Sequence, residues 1–369
     1  MACINLRVMC GNGAAMYSVD LAQISTPISD RTSNGATARV LTMLAVYLAV
    51  TLLAGLAIDL WAPNRLSLHL TGHSLVVSDL HQHIVRRGLE VLVLFPALFL
   101  VETALTGWRD SSLRHLIVQC SPSTRSDIAC WVLTKTGAMH FMILGFSLGV
   151  ALISGVWIHD RIAAFAGGMP SVATWPLWAQ LPLLYLVYSF FDYWNHRLDH
   201  SNLFWPLHRF HHAADDFCIL TAGRVHPALF TGIVSVVPAV ALGAAPDALI
   251  DLAILISIQR QVIHSRIDSN FGWIGRWVFQ SPVHHRLHHV LDISVQPVGH
   301  FSLAPIWDHL FGTWRGEADQ TLPIGVAAPY RHGAWLWPDL WRDYCDFWRR
   351  CWRLVTRQPR LPEPTSIPS

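Results

Sequence analysis

Eight histidines of this chain fall into three tight spacings, His196-x3-His200, His208-x2-His211-His212 and His285-x2-His288-His289. On a helix, residues three or four apart share a face, so each group points two or three imidazoles the same way. Neutral imidazole is a ligand for iron, zinc, copper or nickel. One ion takes about four to six ligands in all, so eight clustered imidazoles suit two ions that keep a position open for substrate or oxygen. His226, in RVHP, and His264, in IHSR, are placed to bring the shell to ten histidines. His284, His300 and His309 lie near the groups but off their repeated pattern.

Other uses of histidine fit less well. Haem needs two axial imidazoles and leaves the adjacent pairs 211/212 and 288/289 without a task. A zinc hydrolase of the HExxH kind needs a glutamate, and none occurs from residue 192 to 309. The same absence separates this pattern from soluble di-iron bundles, which bridge their metals with glutamate. Asp192, Asp199, Asp215, Asp216, Asp268 and Asp292 are available to orient imidazole N–H groups, or are solvated loop carboxylates. A membrane haem or quinone electron carrier, and a metal transporter or metal-dependent lipid hydrolase, stay open as competing functions.

The elements that must carry these residues are apolar. Of 369 residues 52% are hydrophobic and 14% charged, with a mean hydropathy of +0.36, which places the chain in the membrane class. Runs at 40–60, 89–105, 138–158 and 176–191 approach the length that crosses about 30 Å of hydrocarbon. A fifth region, 228–258, is broken by Pro238 and by Ala245-Pro246-Asp247 and reads as a helical hairpin that enters and returns. The expected fold is therefore all-α: a polytopic membrane protein with about four full transmembrane helices, a short helical hairpin and a cytoplasmic histidine-rich helical cap. The hairpin crosses an even number of times, so the histidines before and after it finish on one side. Basic residues in short loops put that side and both termini in the cytoplasm, with a bacterial inner membrane preferred to the endoplasmic reticulum.

Four regions follow. Residues 1–38 read as disordered, without a cleavable signal. Residues 39–175 carry transmembrane helices one to three, 176–314 the catalytic region, and 315–369 a tail. In the tail, PDLWRDYCDFWRRCWRLV repeats Trp341, Tyr344, Trp348, Trp352 and Val355 at helical spacing among arginines. That pattern suits a helix lying in lipid headgroups, and equally a helix packed on the protein's own cap. The net charge of +2 and the lack of a basic stripe argue against nucleic acid. Seven cysteines without a CxxC pair read as free thiols.

DYWNHRLDH, LHRFHH, RVHP, IHS, SPVHHRLHH and WDHLFGTW, in that order over residues 185–314, resemble the fatty acid hydroxylase and sterol desaturase superfamily of integral membrane di-iron oxygenases. The resemblance implies two iron ions held by His196, His200, His208, His211, His212, His285, His288 and His289, with His264 and His226 as further ligands. It also implies O2 as co-substrate, and zinc as a substitute in purified protein. Trp307, Asp308, Phe311, Gly312 and Thr313 match the family's WDxxFGT ending, taken as structural. The chain departs from relatives in having Gly299-His300-Phe301 before that ending, and Arg260 where lipid hydroxylases carry a histidine four residues before the IHS position. No fused cytochrome b5 motif HPGG is present, so electrons are expected from an external reductase, ferredoxin or cytochrome b5-like donor. The implied activity is O2-dependent hydroxylation of a fatty acyl, sterol-like or other lipid drawn from the bilayer, with desaturation and haem electron transfer as alternatives.

Overall fold

Proline starts most of the helices that matter here. Its fixed φ suits the first helical turn, where its missing N–H is no loss. In this computed structural model α1 (Phe95–Thr106) has Pro96 in its first turn and stops at Gly107, whose φ of +79° is easy only for glycine. α2 (Pro122–Lys135) and α7 (Pro282–His289) each follow a serine, Ser121 and Ser281, whose hydroxyl accepts the N–H of Thr124 and His284. α3 (Leu177–Asp199) and α5 (Pro246–Ile263) begin at Pro176 and Pro246. α4 (Trp205–His212) holds Pro206 in its first turn, α6 (Gly272–Trp277) and α8 (Ile306–Leu310) are short, and α9 (Leu336–Val355) closes the order. An antiparallel hairpin, β1 (Leu66–Leu70) with β2 (His73–Val77), pairs Leu66 with Val77 and Leu70 with His73.

The structure describes residues 93–139, 172–229, 242–291, 299–317, 322–326 and 336–357, together with the hairpin backbone and isolated positions elsewhere. Residues 1–38 lie outside the described residues, as do most of the expected spans at 40–60 and 138–158.

The described part is mostly helical, and it overturns the expectation of about four full transmembrane helices. Among the described residues no helix is long and apolar enough to cross a membrane. The reasons are visible helix by helix. α1 has 12 residues, about 18 Å at 1.5 Å each, and buries Glu102, which accepts from the Ser112 N–H, the Ser112 hydroxyl and the Arg266 N–H. α3 has 23 residues, but its last two turns carry Asp192, Asn195, His196, Arg197 and Asp199. α5, the described half of the expected hairpin, carries Asp247, Asp251, Gln259, Arg260 and Gln261 within 18 residues. The apolar residues pack against one another instead. Leu184, Tyr185 and Tyr188 of α3 meet Leu252, Ile256 and Ile263 of α5 and Leu303. Phe95 and Phe99 of α1 meet Ile219 and Leu220, and Leu207 of α4 meets Phe347 of α9. The result is a scaffold in which α3, α4, α5 and α7 turn their polar ends toward one point.

Candidate metal centre

α4 and α7 carry nearly the same six residues, LHRFHH at 207–212 and HHRLHH at 284–289. Residues four apart are about 40° apart around a helix, and the residue at i+3 lies about 60° away on the other side. Each helix therefore sends an i, i+4 pair one way and its third histidine the other. The structure uses this reciprocally. His208 and His212 of α4 join His288 of α7, while His285 and His289 of α7 join His211 of α4. α3 adds His196 and His200 to the first group, and His264, just past the end of α5, joins the second. The ligand atoms within each group all lie within 4.8 Å of one another. The two groups are neighbours: the rings of His212 and His289 stack at 4.2 Å.

The single direction expected for each sequence cluster is thus replaced by two on α4 and α7. Nine of the ten expected ligands converge. His226 lines the same cavity but belongs to neither group, its Nε2 donating to the Leu340 carbonyl at 2.8 Å and its Nδ1 accepting the Ala228 N–H at 3.1 Å, so both nitrogens are engaged. His284 faces the Ser281 hydroxyl and Glu317, and His300 stacks on His284; neither belongs to either group.

Four imidazoles are locked in one tautomer by backbone carbonyls, which can only accept. His196 Nδ1 donates to Phe301 O (2.8 Å), His288 Nδ1 to Gly299 O (2.9 Å), His211 Nδ1 to Arg224 O (3.2 Å) and His264 Nδ1 to Arg260 O (2.7 Å). Burial, reinforced by neighbouring imidazoles, holds the rings of both groups below the usual histidine range, several well below it and His264 at about 4. In a neutral ring with Nδ1 protonated, Nε2 is a bare lone pair. Yet His288 Nε2 lies 3.0 Å from His196 Nε2, and His264 Nε2 lies 3.3 Å from His211 Nε2. Lone pair faces lone pair in each group, an arrangement that repels unless a cation sits between them. Ligands at right angles on a metal with bonds of about 2.1 Å are about 3.0 Å apart. Edges of 3.1, 3.0 and 3.1 Å recur at His200/His288, His264/His285 and His285/His289. The residues fit two metal ions, one held by five imidazoles and one by four.

The second group is one short. A repeat of the His196/His200 spacing on α5 would put an imidazole at 260, where Arg260 stands and pairs with Asp192 at 2.8 Å. A cavity of about 140 Å³ opens there, lined by His196, His208, His211, His264 and His285 as well as Arg260. A second, apolar cleft of about 300 Å³ runs between α2, α3 and α5 past Trp131, Leu252 and Ile256 and ends at Lys135, Ser257 and Gln261. The two spaces share Ala222, Val225 and Arg260 as a common wall, so the cleft lies against the histidine-lined cavity on its Arg260 side.

The supports of the site are what sequence reasoning missed. Among the described residues the nearest approach of a candidate aspartate to a ligand imidazole is Asp199 to His208 Nδ1, at 4.0 Å. Asp192 pairs with Arg260 and Asp216 with Arg266, and Asp292 lies outside the described residues. The orienting is done by carbonyls, which no side-chain motif reveals. One signal was present in the WDHLFGTW ending. Asp308 accepts the N–H of Phe301 (2.9 Å) and Ser302 (3.1 Å) and the Thr313 hydroxyl (2.7 Å), which pins the loop whose carbonyls hold His196 and His288. Arg224, fully buried, donates to the Phe210 carbonyl and pairs with Asp127 at 2.8 Å, fixing the end of α4.

Comparison with known proteins points the same way. Residues 181–313 match the family model described as fatty acid hydroxylase. An alkylglycerol monooxygenase of Xenopus tropicalis is 26% identical over 52% of this chain and 44% of its own length. An ornithine lipid hydroxylase of Rhizobium tropici is 26% identical over 57% of this chain and 63% of its own. The alkylglycerol monooxygenase of Homo sapiens is 24% identical over 58% and 48%. The chain thus spans roughly half the length of these relatives. No solved structure matches.

Proposed function

We propose, from the premise that residues 181–313 of this chain belong to the fatty acid hydroxylase superfamily, that it is an O2-dependent lipid hydroxylase with two iron ions held by nine histidines. The observation that carries this reading is the pair of lone-pair contacts, His196 with His288 and His211 with His264, inside two adjoining imidazole groups. Hydroxylation is preferred to desaturation because the relatives are named as a monooxygenase and a hydroxylase. The balance is R–H + O2 + 2 e− + 2 H+ → R–OH + H2O, so two electrons come from a separate donor protein. When bound, the iron pair supplies the oxidising power that an unactivated C–H bond requires.

The chain's own residues do the rest. The carbonyls of Gly299, Phe301, Arg224 and Arg260 hold the rings in the ligating tautomer. The apolar cleft takes the hydrocarbon of the substrate, lying against the Arg260 wall of the histidine-lined cavity. The walls exclude water from the reacting carbon. Alkylglycerols and ornithine lipids, the compounds in the relatives' names, are the ones to try first.

The test is elemental analysis and an optical spectrum of full-length protein from iron-supplemented cells, followed by turnover of those lipids under 18O2 with a reductant. About two irons per chain, no haem Soret band and 18O in the product are expected. Turnover that persists without oxygen or reductant, or a single haem per chain, would refute the reading.

A further inference from the structure

α9 has two unlike sides. Its inner side packs on α4 through Leu336, Leu340 and Phe347, and all three of its aspartates turn inward with it: Asp339, Asp343 and Asp346 are 1%, 0% and 9% exposed. There Arg209 of α4 reaches Asp343 at 2.7 Å and Asp346 at 3.0 Å. The outer side carries Trp337, Trp341, Trp348, Trp352 and Val355, all exposed, with Trp352 at 65%. At 100° per residue these positions fall within an arc of about 60° along a helix about 30 Å long. Arg342, Arg349 and Arg353 form a row along one flank of that arc, with Arg349 most open at 64%. No acidic side chain of α9 faces outward.

We propose that α9 seats the protein on an anionic lipid surface, the tryptophan row entering the headgroup zone and the arginine row meeting lipid phosphates. Soluble surfaces scatter their large apolar residues, whereas this row is continuous over five turns. Each indole offers an apolar body and one N–H, the combination that settles at the boundary between hydrocarbon and water. The charge separation within the helix selects the occupant. Arg342 reaches Asp339 at 3.2 Å and Arg349 reaches Asp346 at 3.7 Å, yet α9 carries four arginines against three buried aspartates, so its outer face keeps a positive excess complementary to an anionic bilayer. The geometry also has a consequence for the metal centre. α4, which supplies His208, His211 and His212, lies directly against the inner side of α9, and His226 donates to the Leu340 carbonyl of α9. A lipid-bound α9 therefore fixes the orientation of the histidine groups to the surface. The proposal does not depend on the chemistry assigned to those groups.

The test is photocrosslinking of the full chain carrying Trp348→p-benzoylphenylalanine, mixed with phosphatidylcholine vesicles with and without phosphatidylglycerol. A covalent lipid adduct at position 348, found by mass spectrometry and enriched by phosphatidylglycerol, is expected. Arg349→Glu with Arg353→Glu should cut the adduct at least about fivefold on the anionic vesicles and leave it little changed on neutral ones. A crosslinked dimer in place of the lipid adduct would mean that a second copy covers the row, and no adduct in vesicle-bound protein would mean that the row faces water. Either result overturns the proposal, and because the label identifies what touches α9, attachment through other segments does not obscure the answer.

Discussion

His226 and His288 are both buried histidines, yet their nitrogens are used in opposite ways. His226 spends both on its own scaffold, Leu340 O and Ala228 N–H, whereas His288 spends only Nδ1, on Gly299 O, and aims Nε2 at the Nε2 of His196 and His200. The expected outcomes separate accordingly. His288→Ala should lose metal from the first group, down to one ion per chain or fewer by elemental analysis, with the fold retained because a crowded cluster of lone pairs is relieved. His226→Ala should keep its metal and lose about 1–3 kcal/mol in a denaturant titration, since a buried carbonyl and a buried N–H are left without partners. Equal metal loss in both variants would count against the division of the histidines drawn here. Gly299 shows how tightly such a residue can be specified. A Cβ there would lie 2.5 Å from Arg315 Cγ and 2.6 Å from Thr313 O, so glycine alone lets the two segments approach this closely while its carbonyl accepts from His288.

At the scale of elements, the buried pair Arg224–Asp127 joins α2 to the end of α4 and to the Phe210 carbonyl. Burial pushes the Asp127 carboxyl up despite the guanidinium beside it, so the pair is held by geometry and hydrogen bonds more than by charge. Arg224→Ala leaves an unpaired buried carboxyl and should cost about 3–5 kcal/mol, read as a lower denaturation midpoint, with metal lost in the same transition because the Arg224 carbonyl also holds His211. A change under about 1 kcal/mol would show that the pair is dispensable. The sequence made the ligand-bearing helices visible, since their spacing is local: His196/His200, His208/His212 and His285/His289 each span one turn of helix. It concealed the exchange of His211 and His288 between α4 and α7, which depends on how two helices face one another. It concealed the carbonyl partners as well, because every residue has a carbonyl. Among the described residues, the expected spans at 89–105 and 176–191 failed for a related reason. Mean hydropathy counts Leu184, Leu252 and Ile256 as lipid-facing, and the fold packs them on one another on the two helices that carry the paired Asp192 and Arg260, whose contact lies far away in sequence.

The whole molecule concentrates nine imidazoles in one buried region, and this makes its stability depend on pH in a definite sense. Unfolded, each ring binds a proton near pH 6.5. Folded, burial holds the rings of both groups below that, His264 at about 4 and most others well below the usual range. Below pH 6.5 the unfolded chain therefore takes up protons that the folded chain refuses. Their contribution to stability is present above the unfolded value and is lost as pH falls, with a slope of up to about 1.4 kcal/mol per pH unit for each ring. Several rings acting together can consume the roughly 5–15 kcal/mol of an ordinary fold within one or two pH units. Metal-stripped protein is thus expected to lose helicity steeply between about pH 6.5 and pH 5, followed by circular dichroism. Metal binds the neutral rings of the folded state alone, so the loaded protein should hold its helicity to a lower pH and release ions and structure in one step. The same midpoint with and without metal would mean that the histidine groups are not linked to folding, and the compact neutral cage drawn from the lone-pair contacts would have to be given up.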